Sequence, residues 1–395
     1  MLPSCFKPPV DNSEQLELDL GKHHCGEFSM AAIKGRVIVE DQSQLESGTM
    51  GLNEEGPYGT FVGIYDGHSG PEASRFARDH LFQYVREHTT NNGVMTLTVL
   101  QRAFTTLEEN FLALASTNLP QMLFTGTSCL VGVICGGQVY IANAGSSRAI
   151  LGQLTRPIPH FPAVLDRLAR PERHIQASNL ISNHDISLPD GDKDLQDMHQ
   201  MNLHTNEYHL VKTFIRTSRS IGDSYLKTSE FNNCPHLPER QKLKDRLEFP
   251  IICHRPDINS RVIEKGDKFI IFASHGLWRQ LEEIKAVQIV NSSPRKGVAK
   301  KLIKAALKRA AYQNLSSSEE NRDRDDISVI VLFLDYEKIN GRISSPRLPT
   351  LTVKSYGAST SQPRTDVAST SQPRTTGASF SKSKTWPRFS RRYET

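Results

Sequence analysis

The stretch Phe61-Val-Gly-Ile-Tyr-Asp-Gly-His-Ser-Gly70 governs the interpretation of this 395-residue chain. Its first half is aromatic or β-branched, which predicts a buried strand. The strand is predicted to stop at Asp66-Gly67-His68, where a helix follows. A carboxylate and a glycine at the mouth of a strand can offer side-chain and main-chain oxygens to a hard cation. The alternative is an ordinary turn, since Asp-Gly is a common turn pair.

The positive charge of the chain is concentrated at its C-terminal end. Residues 340–395 contain ten Lys/Arg and two Asp/Glu, a net charge of +8, so that residues 1–339 carry −3 of the overall +5. A slightly acidic main part argues against a nucleic-acid-binding core. The C-terminal segment is rich in Ser, Thr, Pro and Arg, which predicts a basic, disordered, low-complexity tail. Contact of this tail with acidic partners is the alternative.

The six cysteines are scattered and include no Cys-x-x-Cys pair, which predicts reduced thiols rather than a zinc or disulfide framework. The N-terminal residues lack the apolar region of a signal peptide. The longest apolar run, residues 327–334, is too short to span a bilayer. We therefore expect an intracellular protein of the cytosol, the nucleus or both, with no membrane segment.

The hydrophobic pattern divides the chain into three parts. Residues 1–25 are polar and predict an N-terminal arm, residues 26–337 predict one folded domain, and residues 340–395 form the tail. Within the domain, predicted strands occur in antiparallel runs and amphipathic helices occur in two clusters. This order predicts an α+β fold with two antiparallel sheets covered by helix pairs, rather than a parallel α/β sheet. Residues 47–59 are predicted to be a loop.

Acidic residues accompany three of the predicted strands. Glu40-Asp41 follows a strand predicted to end at Val39, Asp66 follows the central strand, and Asp325-Asp326 precedes the last strand. Three such positions predict carboxylates that converge at one sheet edge. Oxygen ligands of this kind favour Mg²⁺ or Mn²⁺ over zinc.

Two such ions that share a carboxylate are suited to in-line displacement at phosphorus by a bound hydroxide. His68, beside the predicted ligands, is the candidate proton donor to the leaving oxygen. Arg36 lies on the strand before Glu40 and is a candidate phosphate ligand. An ordinary surface arginine is the alternative for Arg36, and a turn histidine is the alternative for His68.

Seven segments occur together in an order that resembles the type 2C protein phosphatases, and the plant branch of that family is the most similar. They are Glu40–Gln44, Phe61–Arg75, Thr125–Ser128, Ala142–Ala149, Ser218–Asp223, Phe272–Trp278 and Asp325–Val329. The family consists of metal-dependent Ser/Thr phosphatases that fold as an α-β-β-α sandwich. The resemblance covers roughly residues 26–337 and implies phosphorylated protein substrates, kinases as further partners, and a monomer.

The resemblance also implies a role for each matching position. Asp66 would bridge two Mg²⁺ or Mn²⁺ ions per subunit, Gly67 would contribute its carbonyl, and Glu40 would bind through metal-bound water. Asp325 would be a further ligand. His68 would be the general acid, and Arg36 would be the phosphate clamp.

Several positions depart from the family pattern. His275 and Ser146 stand where the family has metal-binding Asp residues, and Arg279 stands where an acidic residue sometimes follows the Trp. Ser69 is a milder change, and residues near 152–176 resemble an insertion. If His275 is a ligand, it replaces an anionic oxygen with a neutral nitrogen, which Mn²⁺ tolerates better than Mg²⁺; a histidine that binds no metal is the alternative.

These departures predict a protein serine/threonine phosphatase of weakened activity that hydrolyses phosphoserine and phosphothreonine with a two-metal-activated water. The alternative is a pseudophosphatase, a non-catalytic module that binds phosphoproteins or kinases.

Overall fold

Two antiparallel sheets form the centre of the computed structural model, which describes residues 15–35, 38–53, 56–118, 120–155, 174–198, 216–232, 250–315, 325–339 and 350–355. The strands in these ranges are β1 (Gln15–His23), β2 (Gly26–Ile33), β3 (Gln42–Thr49), β4 (Tyr58–His68), β5 (Gly126–Cys135), β6 (Gln138–Ala144), β7 (Arg148–Thr155), β8 (His174–Asn179), β9 (Ile221–Gly222), β10 (Asp257–Val262), β11 (Asp267–Ala273), β12 (Ile327–Phe333) and β13 (Leu351–Lys354). The first sheet has the order β1-β2-β12-β11-β7-β8. The second has the order β10-β6-β5-β4-β3-β13, with β9 paired to β5.

Helices cover the outer face of each sheet. The helices in the described ranges are α1 (Glu72–Asn92), α2 (Leu97–Asn118), α3 (Pro189–Met198), α4 (Ser229–Asn232), α5 (His275–Trp278), α6 (Glu283–Asn291), α7 (Val298–Leu315) and α8 (Tyr336–Ile339), with 3₁₀ turns at Pro120–Phe124 and Ser224–Leu226. Helices α1 and α2 pack on the second sheet. Helices α6 and α7 pack on the first.

The alternation of side chains along β4 shows how the layers are built. Val62 and Ile64 point into the core between the two sheets, where they meet Phe272 of β11. Phe61 and Tyr65 point the other way and pack against the helices of the second sheet. Because successive strand residues face opposite sides, one apolar strand contributes to two layers of core. This arrangement confirms the predicted α-β-β-α sandwich.

Three parts of the chain differ from the elements predicted from sequence. Residues 15–23, assigned to a polar arm, form β1, which pairs with β2. Both ends of the predicted loop 47–59 are strand, since β3 runs to Thr49 and β4 begins at Tyr58. The predicted tail contributes β13, which pairs with β3. Strands β1 and β13 are held by pairing with a neighbouring strand and by a few apolar side chains, Leu18, Leu351 and Val353, that pack against the core between the sheets.

The position of Glu40-Asp41 is also different from the prediction. Strand β2 ends at Ile33, not at Val39, and the acidic pair precedes β3 instead of following a strand. Since β3 is antiparallel to β4, the start of β3 lies beside the end of β4, with Gln42 opposite Tyr65. The acidic pair therefore approaches the end of β4 from the start of β3, and not from the end of a strand as predicted.

The described residues, which begin at 15 and end at 355, belong to one compact unit, and residues 359–395 lie outside the described residues. Residues 152–155 and 174–176, at the ends of the predicted insertion, belong to β7 and β8; residues 156–173 lie outside the described ranges. None of the helices in the described ranges has the length and apolar character that a bilayer crossing requires.

Candidate active site

A cleft of about 680 Å³ opens where β4 and β11 end and β3 and β12 begin. The antiparallel pairing of both sheets brings these strand ends together. Seven acidic residues line the cleft: Glu40, Asp41, Asp66, Asp185, Asp223, Asp325 and Asp326. The basic or titratable nitrogen groups along it include His68, His275, Arg216 and Arg279.

The turn from β4 into α1 has an unusual backbone. Ser69 and Gly70 both have positive φ, at 61° and 135°, a region that side chains other than those of Gly, Asn and Asp rarely adopt. This turn aims the main-chain N–H of Gly70 at the carboxylate of Glu40, to which it donates a hydrogen bond of 2.8 Å. Glu40 is thereby held at the mouth of β4.

Gly67 allows the segment before β3 to come close to β4. A Cβ atom at Gly67 would lie 2.3 Å from the carbonyl oxygen of Glu40, far inside van der Waals contact. The same carbonyl accepts a hydrogen bond from the hydroxyl of Ser74 on α1. A glycine at this position therefore brings two of the predicted metal-site residues into contact.

Asp326 organises the segment between β2 and β3. Its Oδ1 accepts a 2.6 Å hydrogen bond from the N–H of Gly35. Its Oδ2 accepts hydrogen bonds from the N–H groups of Glu40 and Asp41, at 2.8 and 3.2 Å. Both carboxylate oxygens of Asp326 are thus used to position backbone, although the residue also lines the cleft together with Asp325.

Asp41 and Asp66 are buried carboxylates with perturbed acidity. Burial, and then the charges of Asp66 and Asp326, raise the pKa of Asp41 well above its usual value. Burial also raises the pKa of Asp66, although the nearby His275 opposes the shift. The Oδ2 atom of Asp41 is buried without a hydrogen-bond partner among the described residues. Neighbouring buried carboxylates that repel one another are stabilised by a cation.

His68 forms a close pair with Asp223. The Nε2 atom of His68 lies 2.8 Å from Oδ2 and 3.0 Å from Oδ1 of Asp223. The hydroxyl of Ser220 donates a further hydrogen bond of 2.5 Å to Asp223. Burial alone would lower the pKa of His68, but the Asp223 carboxylate outweighs burial and raises it. Asp223 therefore favours the protonated form of His68.

Arginines surround the carboxylate of Asp325. Its Oδ2 accepts a 3.1 Å hydrogen bond from Nη1 of Arg279. Its Oδ1 lies 3.7 Å from Nη1 of Arg216. The sequence predicted Asp325 as a metal ligand, and the structure gives it a guanidinium on each oxygen.

His275 contacts Asp66 through its main chain. Its main-chain N–H donates a 2.8 Å hydrogen bond to Oδ2 of Asp66. Its side-chain Nδ1 is 3.5 Å from Oδ2 of Asp185. Asp185 is fixed in turn by the N–H and hydroxyl of Ser187, at 2.9 and 2.7 Å. The imidazole thus faces a carboxylate of the chain itself.

Ser146 lines the cleft and contributes no charge; its N–H donates a 3.1 Å hydrogen bond to the hydroxyl of Ser128. Arg36, the predicted phosphate clamp, lies outside the described residues. Sequence reasoning assigned no role to Asp185, Arg216 or Asp223. Asp223 had a signal, since it ends the matched segment Ser218–Asp223. Asp185 and Arg216 come from irregular segments without a recognisable pattern.

The two sides of the cleft differ in how well their donor atoms suit a divalent cation. No group of three or more His, Cys, Asp or Glu side chains forms a ready metal cage among the described residues. On the side of Asp41 and Asp66, a buried unpartnered oxygen and close carboxylates suit Mg²⁺ or Mn²⁺. On the other side, the carboxylate of Asp325 already has Arg216 and Arg279 as partners.

A sandwich with a cleft of buried carboxylates and a His–Asp pair is typical of hydrolases that act on phosphate esters. The family model for Protein phosphatase 2C matches residues 35–315. Two relatives from Arabidopsis thaliana are named probable protein phosphatase 2C 46 and 48. The first is 40% identical over 360 residues, 86% of this chain and 89% of the relative. The second is 42% identical over 332 residues, 80% of this chain and 83% of the relative.

This chain belongs to the protein phosphatase 2C family, and it is similar to plant members. Its fold is also similar to the crystal structure of a serine-threonine phosphatase 2C from Toxoplasma gondii, with a TM-score of 0.57 and 14% identity. That similarity covers 82% of this chain and all of the other.

Proposed function

We propose that this chain hydrolyses phosphoserine and phosphothreonine in proteins as a divalent-cation-dependent phosphatase of low turnover. The observation that carries the proposal is the His68–Asp223 pair beside the buried carboxylates Asp41 and Asp66. Cleavage of a phosphate ester needs a proton donor for the leaving oxygen and stabilisation of negative charge, for which a bound cation is suited. His68 and the carboxylate cluster would supply these two requirements in one cleft.

Mg²⁺ or Mn²⁺, when bound, neutralises charge on the phosphoryl group and makes water more acidic. Asp66, Gly67, Glu40 and Asp41 would hold the cation on one side of the cleft. The two-ion arrangement that the family implies also requires Asp325 and a ligand at the position of His275 on the other side. There the ion pair of Asp325 with Arg279 competes with a second ion, and this competition is the reason for low turnover.

His68 would act on the leaving group. Asp223 holds the Nε2 side of the ring and stabilises the imidazolium. The Nδ1 proton of the imidazolium then remains for transfer to the serine or threonine oxygen as the ester bond breaks. Asp223 orients the ring and does not itself contact the substrate.

The test is phosphate release from phosphoserine and phosphothreonine peptides with Mg²⁺ and with Mn²⁺. We expect metal-dependent release above that of Asp66→Ala, and more with Mn²⁺ than with Mg²⁺. Release equal to that of Asp66→Ala with both ions would contradict the proposal. Asp79→Ala, which removes a carboxylate from the exposed surface of α1, is the matched control.

Binding of phosphoproteins without hydrolysis is the second candidate, and the Arg279–Asp325 ion pair favours it. His275→Asp, alone and with Ser146→Asp, separates the two candidates. If the missing carboxylates limit turnover, these variants should be faster than the wild-type protein. If the wild-type protein and both variants release no more phosphate than Asp66→Ala, while the wild-type protein binds the phosphopeptides, the second candidate is supported.

A further inference from the structure

We propose that Arg279 takes the place of a divalent cation beside Asp325, so that the cleft binds one divalent cation, on the side of Asp41 and Asp66, rather than two. This inference rests on the cation dependence of the proposed function and narrows it. It concerns binding, so it can be tested without measuring hydrolysis.

The first argument is the state of Asp325. Arg279 Nη1 donates to Oδ2 at 3.1 Å, and Arg216 Nη1 lies 3.7 Å from Oδ1. A charge-assisted hydrogen bond from a guanidinium is among the stronger polar contacts in proteins. A divalent cation that used Asp325 would have to displace this contact and would then lie close to two positive groups, which repel it.

The second argument is the place of Arg279 in the backbone. Arg279 directly follows α5, and its N–H donates a 2.9 Å hydrogen bond to the carbonyl of His275. The guanidinium is therefore presented from the same short helix that begins at His275. The segment that would have to supply a ligand on this side instead carries an imidazole and a fixed positive charge.

The third argument is the lack of further negative charge on this side. The Nδ1 atom of His275 is 3.5 Å from Asp185, so that the nearest additional carboxylate already faces the imidazole. Ser146 adds no charge. The groups around Asp325 thus compensate one another without a metal ion.

On the opposite side of the cleft, around Asp41 and Asp66, negative charge is not matched in the same way. Asp41 is only 4% exposed, lines the cleft, and has an Oδ2 atom without a hydrogen-bond partner among the described residues. Asp66 is close enough to it for the two charges to interact. In the described part of the chain, the Oδ2 atom of Asp66 accepts a hydrogen bond from the main-chain N–H of His275 and not from a guanidinium. A cation bound here would satisfy the Oδ2 atom of Asp41 and offset the repulsion between the two carboxylates.

Mn²⁺ titration of the full-length protein tests the inference. Equilibrium dialysis gives the number of ions per chain, and the electron paramagnetic resonance spectrum distinguishes an isolated Mn²⁺ from a coupled pair. We expect one equivalent and an uncoupled spectrum for the wild-type protein. Two equivalents with a coupled spectrum would overturn the inference.

Removal of the arginines should open the second position. Arg216→Ala/Arg279→Ala is expected to bind a second equivalent of Mn²⁺ and to give a coupled spectrum. Both side chains are substantially exposed, at 72% and 41%, so the fold does not depend on them. Arg309→Ala is the matched control, because it removes one positive charge from a surface pair with Glu282. A double variant that still binds one equivalent would overturn the role given to Arg279.

Asp41→Asn locates the first ion. It should weaken Mn²⁺ binding by about 10- to 100-fold, as loss of a supporting metal-site residue commonly does; unchanged affinity would contradict the placement. A protein that binds one ion and releases no phosphate would refute the proposed function and leave this inference intact. Two bound ions together with phosphatase activity would refute this inference and leave the proposed function intact.

Discussion

His68 combines two environments that act against each other. Burial disfavours its charged form, whereas the Asp223 carboxylate, 2.8 Å from Nε2, favours it, and the result is a raised pKa. Asp223 itself is held by Ser220. The acid function proposed for His68 therefore depends on a residue that lies 155 positions away in the chain.

His68→Gln should affect substrates according to their leaving groups. Serine leaves as a poor alkoxide unless it is protonated, whereas p-nitrophenolate leaves without help. We expect turnover of a phosphoserine peptide to fall by about 10²- to 10⁴-fold, the usual contribution of a general acid, with a much smaller fall for p-nitrophenyl phosphate. Steady-state kinetics on both substrates measure the difference.

Asp223→Asn is the companion variant. It should also slow the phosphoserine peptide more than p-nitrophenyl phosphate, and both losses of turnover should be smaller than those of His68→Gln. An equal loss on both substrates would show that His68 supports the structure of the cleft rather than proton transfer.

At the scale of elements, the cleft is assembled by a connection between the two sheets. Asp326, at the start of β12 in the first sheet, accepts hydrogen bonds from the backbone that leads into β3 of the second. Gly67 on β4 leaves room for that backbone. The segment that carries Glu40 and Asp41 is thus placed by its main-chain hydrogen bonds to Asp326.

Asp326→Asn tests this connection. A carboxamide has one acceptor oxygen, so it cannot satisfy N–H groups on both sides, as the carboxylate does for Gly35 and Glu40. We expect a loss of about 1–3 kcal/mol in the free energy of unfolding, from buried donors left without partners. Urea denaturation measures the loss, and Mn²⁺ affinity should fall with it. Asp335→Asn, at half-exposed ion pairs with Lys338 and Arg295 just before α8, is the control and should cost less.

The elements that could be predicted from sequence are those that carry apolar periodicity. Strand β4 and helices α1 and α2 were predicted because their own side chains form the core. Strand β3 was missed because it is polar along most of its length, yet buried. Its polar groups are satisfied by neighbours: Gln44 donates to Glu46 at 2.7 Å and accepts from Tyr65 at 3.1 Å. Hydropathy cannot reveal burial that rests on such pairing.

The same reasoning explains what could be predicted of the site. Asp66, Gly67 and His68 are contiguous and sit at a strand end, so their proximity follows from the chain. The pairing of Asp325 with Arg279 and Arg216, and that of His275 with Asp185, depend on side-chain directions in segments without periodicity. Such pairs require three-dimensional coordinates.

At the scale of the whole molecule, His23 ties the two sheets together. It lies on β1, bonds to the hydroxyl of Thr60 on β4 at 2.9 Å, and bonds to the carbonyl of Phe333 on β12 at 3.1 Å. Burial lowers the pKa of His23 from 6.5 to about 4. The folded protein therefore requires the neutral ring.

The lowered pKa of His23 predicts that the free energy of unfolding decreases as the pH falls. The folded pKa is depressed, so the contribution of neutral His23 is complete above pH 6.5 and is lost as the pH falls toward 4, because the unfolded chain takes up a proton first. The loss should be about 3 kcal/mol over that interval. Urea unfolding between pH 7 and pH 4 should show a shallower decline for His23→Gln than for the wild-type protein. Parallel curves would contradict this account.

Strand β13 is the short last strand of the second sheet and covers β3 by pairing with it, and the hydroxyl of Ser355 accepts a hydrogen bond from the N–H of Ser43 at 2.6 Å. Without it, β3 would expose a row of unpaired main-chain groups, which is a template for association with another copy of the chain. A protein ending at residue 339 should therefore scatter light increasingly with concentration, whereas one ending at residue 358, which keeps β13, should stay monodisperse. The solubility of the folded domain thus depends on a short strand outside the region, residues 35–315, that the family model matches.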